Sequence, residues 1–231
     1  RKFVEAAAEI SKAIAIQPQD ASLYIQRARF YRLAKDDPSF HKDIEKALQL
    51  KPEDESVLTD VTRLLMERGE REMCEQVLTI TNAYISKHSQ SDAAYDARFR
   101  AKTCIGDLVG AFIDVSMAAE LNPQSLSHNS NRANLLSRLG DSDLALELFK
   151  SLIDRLEAEL PRPVSQPTNS LPHIQLSGIY IQRSGIHEKR GDKASMMSDL
   201  SRAVEILPHE RSWRARATAY RKSGEYSKAI A

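Results

Sequence analysis

Apolar residues recur three and four positions apart along nearly the whole chain, and short polar turns interrupt them at regular intervals. This spacing places the apolar side chains of each segment on one face of an α-helix. A helix with one apolar stripe buries that stripe against a neighbouring helix. The pattern therefore predicts an all-α chain built from packed helical hairpins.

Two independent markers show that the hairpins repeat. Four helical segments of similar form end in proline, and a glycine lies in most of the predicted turns inside a hairpin. The prolines are Pro18, Pro52, Pro123 and Pro208, and the glycines are Gly69, Gly106, Gly140, Gly191 and Gly224. The glycines are separated by 37, 34, 51 and 33 residues, in register with the prolines. The chain therefore consists of repeats of about 34 residues.

Side-chain sizes follow one order within each repeat. The first helix carries a large residue, the second helix opens with a small one, and an alanine often precedes the closing proline. The large residues are Tyr24, Leu58, Tyr95, Tyr180 and Trp213, and the small ones are Ala6, Cys74, Ala111, Ala145 and Ala229. "LGDSDLALELF" and "WRARATAYRKSGEYSKAIA" show this order most clearly. The order resembles the tetratricopeptide repeat, which implies a right-handed superhelical solenoid of antiparallel helix pairs that binds peptides or proteins in a concave groove.

The resemblance covers nearly the whole chain and implies a single solenoid over residues 1–231. We place the repeats at 1–20 (second helix only), 21–54, 55–91, 92–125, 126–176, 177–209 and 210–231 (incomplete). Phe40 and Met196 stand where a small residue is usual, so we expect looser packing there. The chain starts and ends inside predicted helices, and we expect it to be part of a longer protein.

The repeat at 126–176 carries 17 extra residues. Leu148, Leu152, Leu156 and Leu160 continue the helical spacing, which predicts a longer second helix. The stretch "PRPVSQPTNSLP" at 161–172 predicts an exposed loop, because prolines remove backbone donors and fix backbone angles.

Arginines on the first helices are matched by aspartates on the second. Arg27, Arg98 and Arg183 each precede an aspartate by 16 residues, namely Asp43, Asp114 and Asp199. In the repeat at 55–91 both positions are valine, Val61 and Val77. This joint replacement predicts a half-buried salt bridge inside each hairpin, with the planar guanidinium holding the carboxylate by two bonds. Arg132 faces Leu148 instead and needs another partner.

A second set of residues lies on the opposite face of the first helices. Successive residues turn by about 100° on an ideal helix, so Arg29 points about 200° away from Arg27. The resemblance implies that this face lines the groove. The candidate groove residues are Arg29, Arg32, Arg63, Arg100, Asn131, Asn134, Arg214 and Arg221. We expect the arginines to hold carboxylates of an acidic peptide or a free C-terminus, and the asparagines to bond its backbone. The alternative is a set of solvated surface charges.

One comparison with family members concerns the clamp of lysines and asparagines by which some of them hold chaperone tails. Asn131, Arg132 and Ala133 match part of that pattern. The flanking lysines are absent, and Asp96 stands where one is expected. The sequence therefore suggests a co-chaperone-like adaptor without establishing it.

The sequence carries few features typical of an enzyme. The six histidines are scattered and form no metal-ligand pair with Cys74 or Cys104, and no phosphate-binding loop or nucleophile elbow is present. We therefore predict no catalytic residue, metal or cofactor. A net charge of +1 argues against nucleic-acid binding. No apolar run approaches the roughly 20 residues that a membrane span needs. Two cysteines fit a cytoplasmic protein without requiring one.

These observations predict a non-enzymatic scaffold that binds a protein or peptide partner in its groove. The alternative is a regulatory, scaffolding or self-associating segment of a larger multidomain protein or enzyme, with contacts through the repeat ends.

Overall fold

The computed structural model describes residues 2–160 and 170–230, and these residues form thirteen α-helices and no strands, which confirms the all-α prediction. The helices are α1 (Lys2–Ile16), α2 (Ala21–Ala34), α3 (Asp37–Leu50), α4 (Glu55–Met66), α5 (Arg71–Ile85), α6 (Asp92–Ile105), α7 (Leu108–Leu121), α8 (Leu126–Leu139), α9 (Ser142–Glu159), α10 (Leu171–Arg190), α11 (Lys193–Ile206), α12 (Glu210–Lys222) and α13 (Tyr226–Ile230).

The chain divides into two compact units, Arg1–Asn122 and Pro123–Ala231. The first unit contains α1 and the hairpins α2–α3, α4–α5 and α6–α7. Its core includes Phe40, Ile44 and Leu64, each at most 1% exposed. Phe40, which stands in place of a small residue, is therefore fully accommodated.

The second unit contains the hairpins α8–α9 and α10–α11, followed by α12 and α13. Phe149 and Leu156 of α9 and Leu176 of α10 are among its fully buried side chains. Met196, the other large residue at a small position, is buried and packs with Leu200. Both units therefore bury the apolar stripes from which the helices were predicted.

The turns inside the hairpins use left-handed backbone. All five predicted turn glycines have a positive φ, between 64° at Gly69 and 104° at Gly140. Glycine has no Cβ and adopts this conformation without the penalty that other residues incur at the end of a helix. In the α2–α3 turn the same place is taken by Lys35, with φ 61°. The turn prediction is confirmed.

The hairpin with the extra residues has the longer second helix that its leucines predict. Helix α9 has 18 residues, whereas α3, α7 and α11 have 14 each. Residues 161–169 of the predicted loop lie outside the described residues. Helix α10 begins at Leu171 with Pro172 in its first turn, a position that tolerates proline because the first backbone donors of a helix have no intrahelical partner. The helix therefore begins before the predicted end of the loop.

None of the described helices combines the length and the apolar composition that crossing a bilayer would require.

Candidate functional site

Three hairpins contain an arginine that holds an aspartate by two hydrogen bonds. Arg27 donates Nε–H and Nη2–H to Asp43 at 2.7 and 2.6 Å. Arg98 donates in the same way to Asp114 at 2.9 and 2.7 Å. Arg183 bonds Asp199 at 2.9 and 2.6 Å. The carboxylates are 3%, 0% and 5% exposed, so each charge is compensated inside the protein.

Further contacts fix these guanidinium groups. The Nη1 of Arg27 donates to Ser11 and that of Arg98 to Asn82, both at 2.9 Å. The hydrogen bond to Asp43 raises the pKa of Arg27, and the bond to Asp199 raises the pKa of Arg183. With these donors engaged, Arg27 and Arg98 are structural and have little capacity left for a ligand, and Arg183 is held by its two bonds to Asp199.

An aromatic ring covers each of the paired arginines. The guanidinium carbon lies 5.6 Å from the ring centre of Tyr24 in α2, 5.3 Å from that of Tyr95 in α6 and 5.3 Å from that of Tyr180 in α10. Such stacking favours the cation. Burial, together with a hydrogen bond to Glu157, raises the pKa of Tyr180 to about 12. The tyrosine at the large position of the repeat therefore covers the arginine of the ion pair.

The α4–α5 hairpin has an apolar version of the same arrangement. Val61 and Val77 occupy the two positions and are fully buried. No charge is left without its partner when both positions change together, as the sequence pattern suggested.

The candidate groove residues of the first unit differ in exposure. Arg29, Arg63 and Arg100 are exposed. Arg63 pairs with Asp60 one turn earlier, and Arg100 pairs with Asp96 at 2.7 Å. Within the described part of the chain, Arg29 has neither an ion pair nor a side-chain hydrogen bond. Of the three, Arg29 is the most available to a partner.

Arg32 does not lie where the groove prediction put it. It is 5% exposed, and its guanidinium stacks on the ring of Phe40 at 5.0 Å. Its Nε and Nη2 atoms are buried without a hydrogen-bond partner. The large ring at the usual small position draws the arginine inward by a cation–π contact, which the helical face alone did not indicate. Arg32 is therefore no longer a candidate groove residue.

The candidates of the second unit fall into two groups. Asn131 and Asn134 are half-buried on α8, and Asn134 donates to Gln182 of α10 at 2.7 Å. Arg214 and Arg221 are exposed on α12, and Arg214 forms an exposed pair with Glu210 at 3.1 Å.

A cleft of about 350 Å³ lies between α10, α11 and α12. It brings Arg214, one of the candidate groove residues, together with Ile181, Gly185, Glu188 and Thr218. Its walls also include Arg211 and Lys222, which the sequence analysis did not select. Helical spacing could have pointed to Arg211, because it lies three residues before Arg214 and shares its side of α12. Arg221 is not part of this cleft.

Cys74 and Cys104 form a disulfide between α5 and α6. Cys74 is fully buried at the small position, as expected, but it is also covalently bonded. Sequence spacing gave no signal for this pairing, because the two residues are 30 positions apart on different helices. Among the described residues, no three histidine, cysteine, aspartate or glutamate side chains come together in a way that could hold a metal ion.

Several solved structures are similar to this chain. A tetratricopeptide repeat protein from Parabacteroides merdae matches with a TM-score of 0.64 and 16% identity, over 92% of this chain and 77% of that chain. PilW, described as a widely conserved type IV pilus biogenesis factor, gives 0.64 and 14%, over 91% and 88% of the two chains. YrrB, described as a protein of the same repeat class with an unusual peptide-binding site, gives 0.54 and 15%, over 89% and 96%. No protein-family model and no curated protein matches the sequence. At such low identity, the similarity concerns the fold.

Proposed function

We propose that this chain, which has the tetratricopeptide repeat fold, binds a segment of a partner protein and has no catalytic role of its own. The fold is compatible with this function, and YrrB offers a precedent for peptide binding at 15% identity. Fold does not determine function, so the proposal rests on the residues of the candidate surface.

The cleft between α10, α11 and α12 is the observation that carries the proposal. Its floor includes the apolar side chains of Met196, Leu200 and Ala215, which suit an apolar anchor residue of a peptide. Arg211 and Arg214 lie at its walls and favour an anionic partner.

The balance of charge in the cleft also favours an acidic ligand. Lys222 bonds Glu188 at 2.7 Å, and these two charges offset each other. Arg214 has only its exposed pair with Glu210, and Arg211 forms no ion pair among the described residues, so the cleft walls keep an excess of positive charge. Gly185 presents no side chain, and a Cβ added there would meet nothing within 4 Å, so a peptide backbone can approach α10 closely.

The exposed arginines of the first unit are a candidate surface of their own. Arg29, Arg63 and Arg100 occupy equivalent positions on the first helices of three hairpins. The pair between Arg63 and Asp60 is exposed, and exposed pairs contribute only about 0–1 kcal/mol, so a ligand carboxylate can replace the aspartate at little cost. We infer an acidic peptide, or one that ends in a free carboxylate.

A binding titration tests the proposal. The probe is a fluorescein-labelled ten-residue peptide of alternating glutamate and leucine, compared with its glutamine analogue. We expect the R211E/R214E double variant to raise the Kd for the acidic peptide by at least about tenfold, because it reverses the charge of the cleft. The R29E/R63E variant tests the first unit in the same way, because it includes Arg29, the most available arginine of that unit. Lys193→Glu, on an exposed position at the start of α11, is the matched control.

Unchanged affinity in both double variants would refute the groove assignment, and so would an equal loss in the control. Equal binding of the glutamine analogue would remove the acidic preference and leave a peptide-binding cleft.

Self-association through the ends of the array is the second candidate. Phe3 and Val4 of α1, and Trp213 and Tyr226 of α12 and α13, are between 43% and 65% exposed. Exposed apolar surface of this kind favours contact with another chain. Sedimentation velocity of the chain without peptide distinguishes the two candidates, because only self-association makes the sedimentation coefficient rise with protein concentration. A regulatory segment of a larger protein is compatible with either candidate.

The cytoplasmic location suggested by the sequence stays a prediction. The Cys74–Cys104 disulfide weighs against it, because disulfides persist in oxidising compartments and are rare in the cytosol. We infer that the chain functions where this bond can form.

A further inference from the structure

The α8–α9 hairpin departs from the ion-pair arrangement of its counterparts. In α2–α3, α6–α7 and α10–α11 an aromatic residue is followed three positions later by the arginine, and sixteen positions after that by the aspartate. In α8–α9 the same three places hold Asn129, Arg132 and Leu148. The arginine is kept, whereas the ring that covers it and the carboxylate that neutralises it are both missing.

A cavity of about 210 Å³ lies at this place. Its lining includes Pro123, Asn129, Arg132, Leu148, Ser151 and Arg155. Two arginines therefore share a small cavity, and no acidic side chain is found among the described residues that line it. Like charges held close together favour an anion between them.

The donors of this cavity are incompletely used. Within the described ranges, Arg132 is half-buried and donates to no protein atom. Arg155 donates to the carbonyl oxygen of Pro123 at 3.2 Å, and it makes two longer contacts at 3.5 Å, to the carbonyl oxygen and to the side-chain oxygen of Gln124. The side-chain amide of Asn129 donates to the carbonyl oxygens of Pro123 and Ser125 at 3.0 and 2.9 Å. Asn129 therefore does not cover Arg132 as the tyrosines cover the other arginines.

We propose that this cavity binds a single carboxylate of a partner protein, presented by an acidic side chain or by a chain terminus. The three other hairpins show which group this arginine position accepts, since each holds an aspartate by two parallel bonds from Nε and Nη2. The partner's carboxylate takes the place of that aspartate beside Arg132, with Arg155 and the hydroxyl of Ser151 as further donors.

The cavity is separate from the proposed groove. Arg132 and Asn134 are two residues apart on α8, and their side chains therefore point about 200° apart. The cavity contains none of the residues of the α10–α12 cleft. The two proposals can therefore fail independently.

The test uses the full chain with acetate as the probe, at constant ionic strength, observed through the Nε–Hε NMR signals of arginine. We expect acetate to shift the signals of Arg132 and Arg155 saturably and to leave the paired Arg98 unchanged. Leu148→Asp restores the internal carboxylate and should weaken acetate binding by at least about tenfold, because the new aspartate competes for Arg132. Leu148→Asn is the matched control, and it should keep the binding. Leu148 is half-buried, so both variants are compatible with folding.

Phosphate and chloride titrations complete the experiment. Shifts that are equal for phosphate or chloride would overturn the assignment of a carboxylate, and so would equal acetate binding by the L148D and L148N variants. The R211E/R214E variant should keep the acetate shifts, which separates a failure of this site from a failure of the groove. Capped glutamate and a peptide with a free terminus then distinguish the two sources of the carboxylate.

Discussion

The α6–α7 and α8–α9 hairpins place an arginine at the same position and use it differently. Arg98 makes two bonds to the buried Asp114 and one to Asn82, under the ring of Tyr95. Arg132 has no such partner among the described residues and lines a cavity with Arg155. The identity of the arginine therefore does not decide its role. The residue sixteen positions later decides whether the guanidinium stabilises the hairpin or is available to a ligand.

The α4–α5 hairpin supports this conclusion. It dispenses with the charge altogether, because Val61 and Val77 fill the two positions and are fully buried. A buried pair can be replaced by well-packed apolar residues without loss, whereas removing one partner strands the other. The α8–α9 hairpin keeps the arginine without its carboxylate, and the arginine is half-buried and lies in a cavity rather than in the closed core.

A disulfide also holds helix α6 in place. Its contribution to stability has to be measured separately from that of the Arg98–Asp114 ion pair. The Cys74–Cys104 disulfide fastens α6 to α5. Closing a segment with a sequence separation of 30 restricts the unfolded chain, and we expect the C74A/C104A variant to lower the free energy of unfolding by about 3 kcal/mol. Urea denaturation measures the change, and thiol titration of the unreduced protein checks that the bond is present. Free thiols in the folded protein would contradict the assignment.

Breaking the ion pair of α6–α7 should have the next largest effect. Arg98→Ala leaves the fully buried Asp114 with Lys102, at 2.9 Å, as its one charged partner among the described residues. We expect a loss of about 2 kcal/mol, below the usual cost of breaking a buried pair because Lys102 compensates in part. The measurement is urea denaturation with the disulfide intact. A loss within experimental error would show that Asp114 does not need the arginine.

The corresponding change in α8–α9 should have the smallest effect. Arg132→Ala removes a half-buried cation that has no protein partner in the described chain, and we expect a change within about 0.5 kcal/mol. The same denaturation series measures it. A loss of stability as large as that of Arg98→Ala would mean that Arg132 stabilises its hairpin. The two arginines would then have the same role, contrary to this account.

Sequence periodicity predicted the hairpins, the turn glycines and the pairing of arginine with aspartate, because each depends on spacing within one or two helices. Contacts that depend on side-chain volume were harder to predict. Arg32 has the helical position of a groove residue, yet the unusual size of Phe40 brings it inside. The disulfide and the α10–α12 cleft join residues from separate helices, and only the packed structure shows which of them meet.

Hydrogen exchange at the arginine Nε–Hε groups, measured by NMR on the unmodified chain, tests the central claim most directly. Arg27, Arg98 and Arg183 each donate this hydrogen to a buried carboxylate. We expect their three signals to exchange slowly with solvent, whereas that of Arg132 exchanges as fast as an exposed arginine such as Arg29. Slow exchange at Arg132 without added ligand would contradict the account, because it would mean that this arginine already has a partner inside the protein.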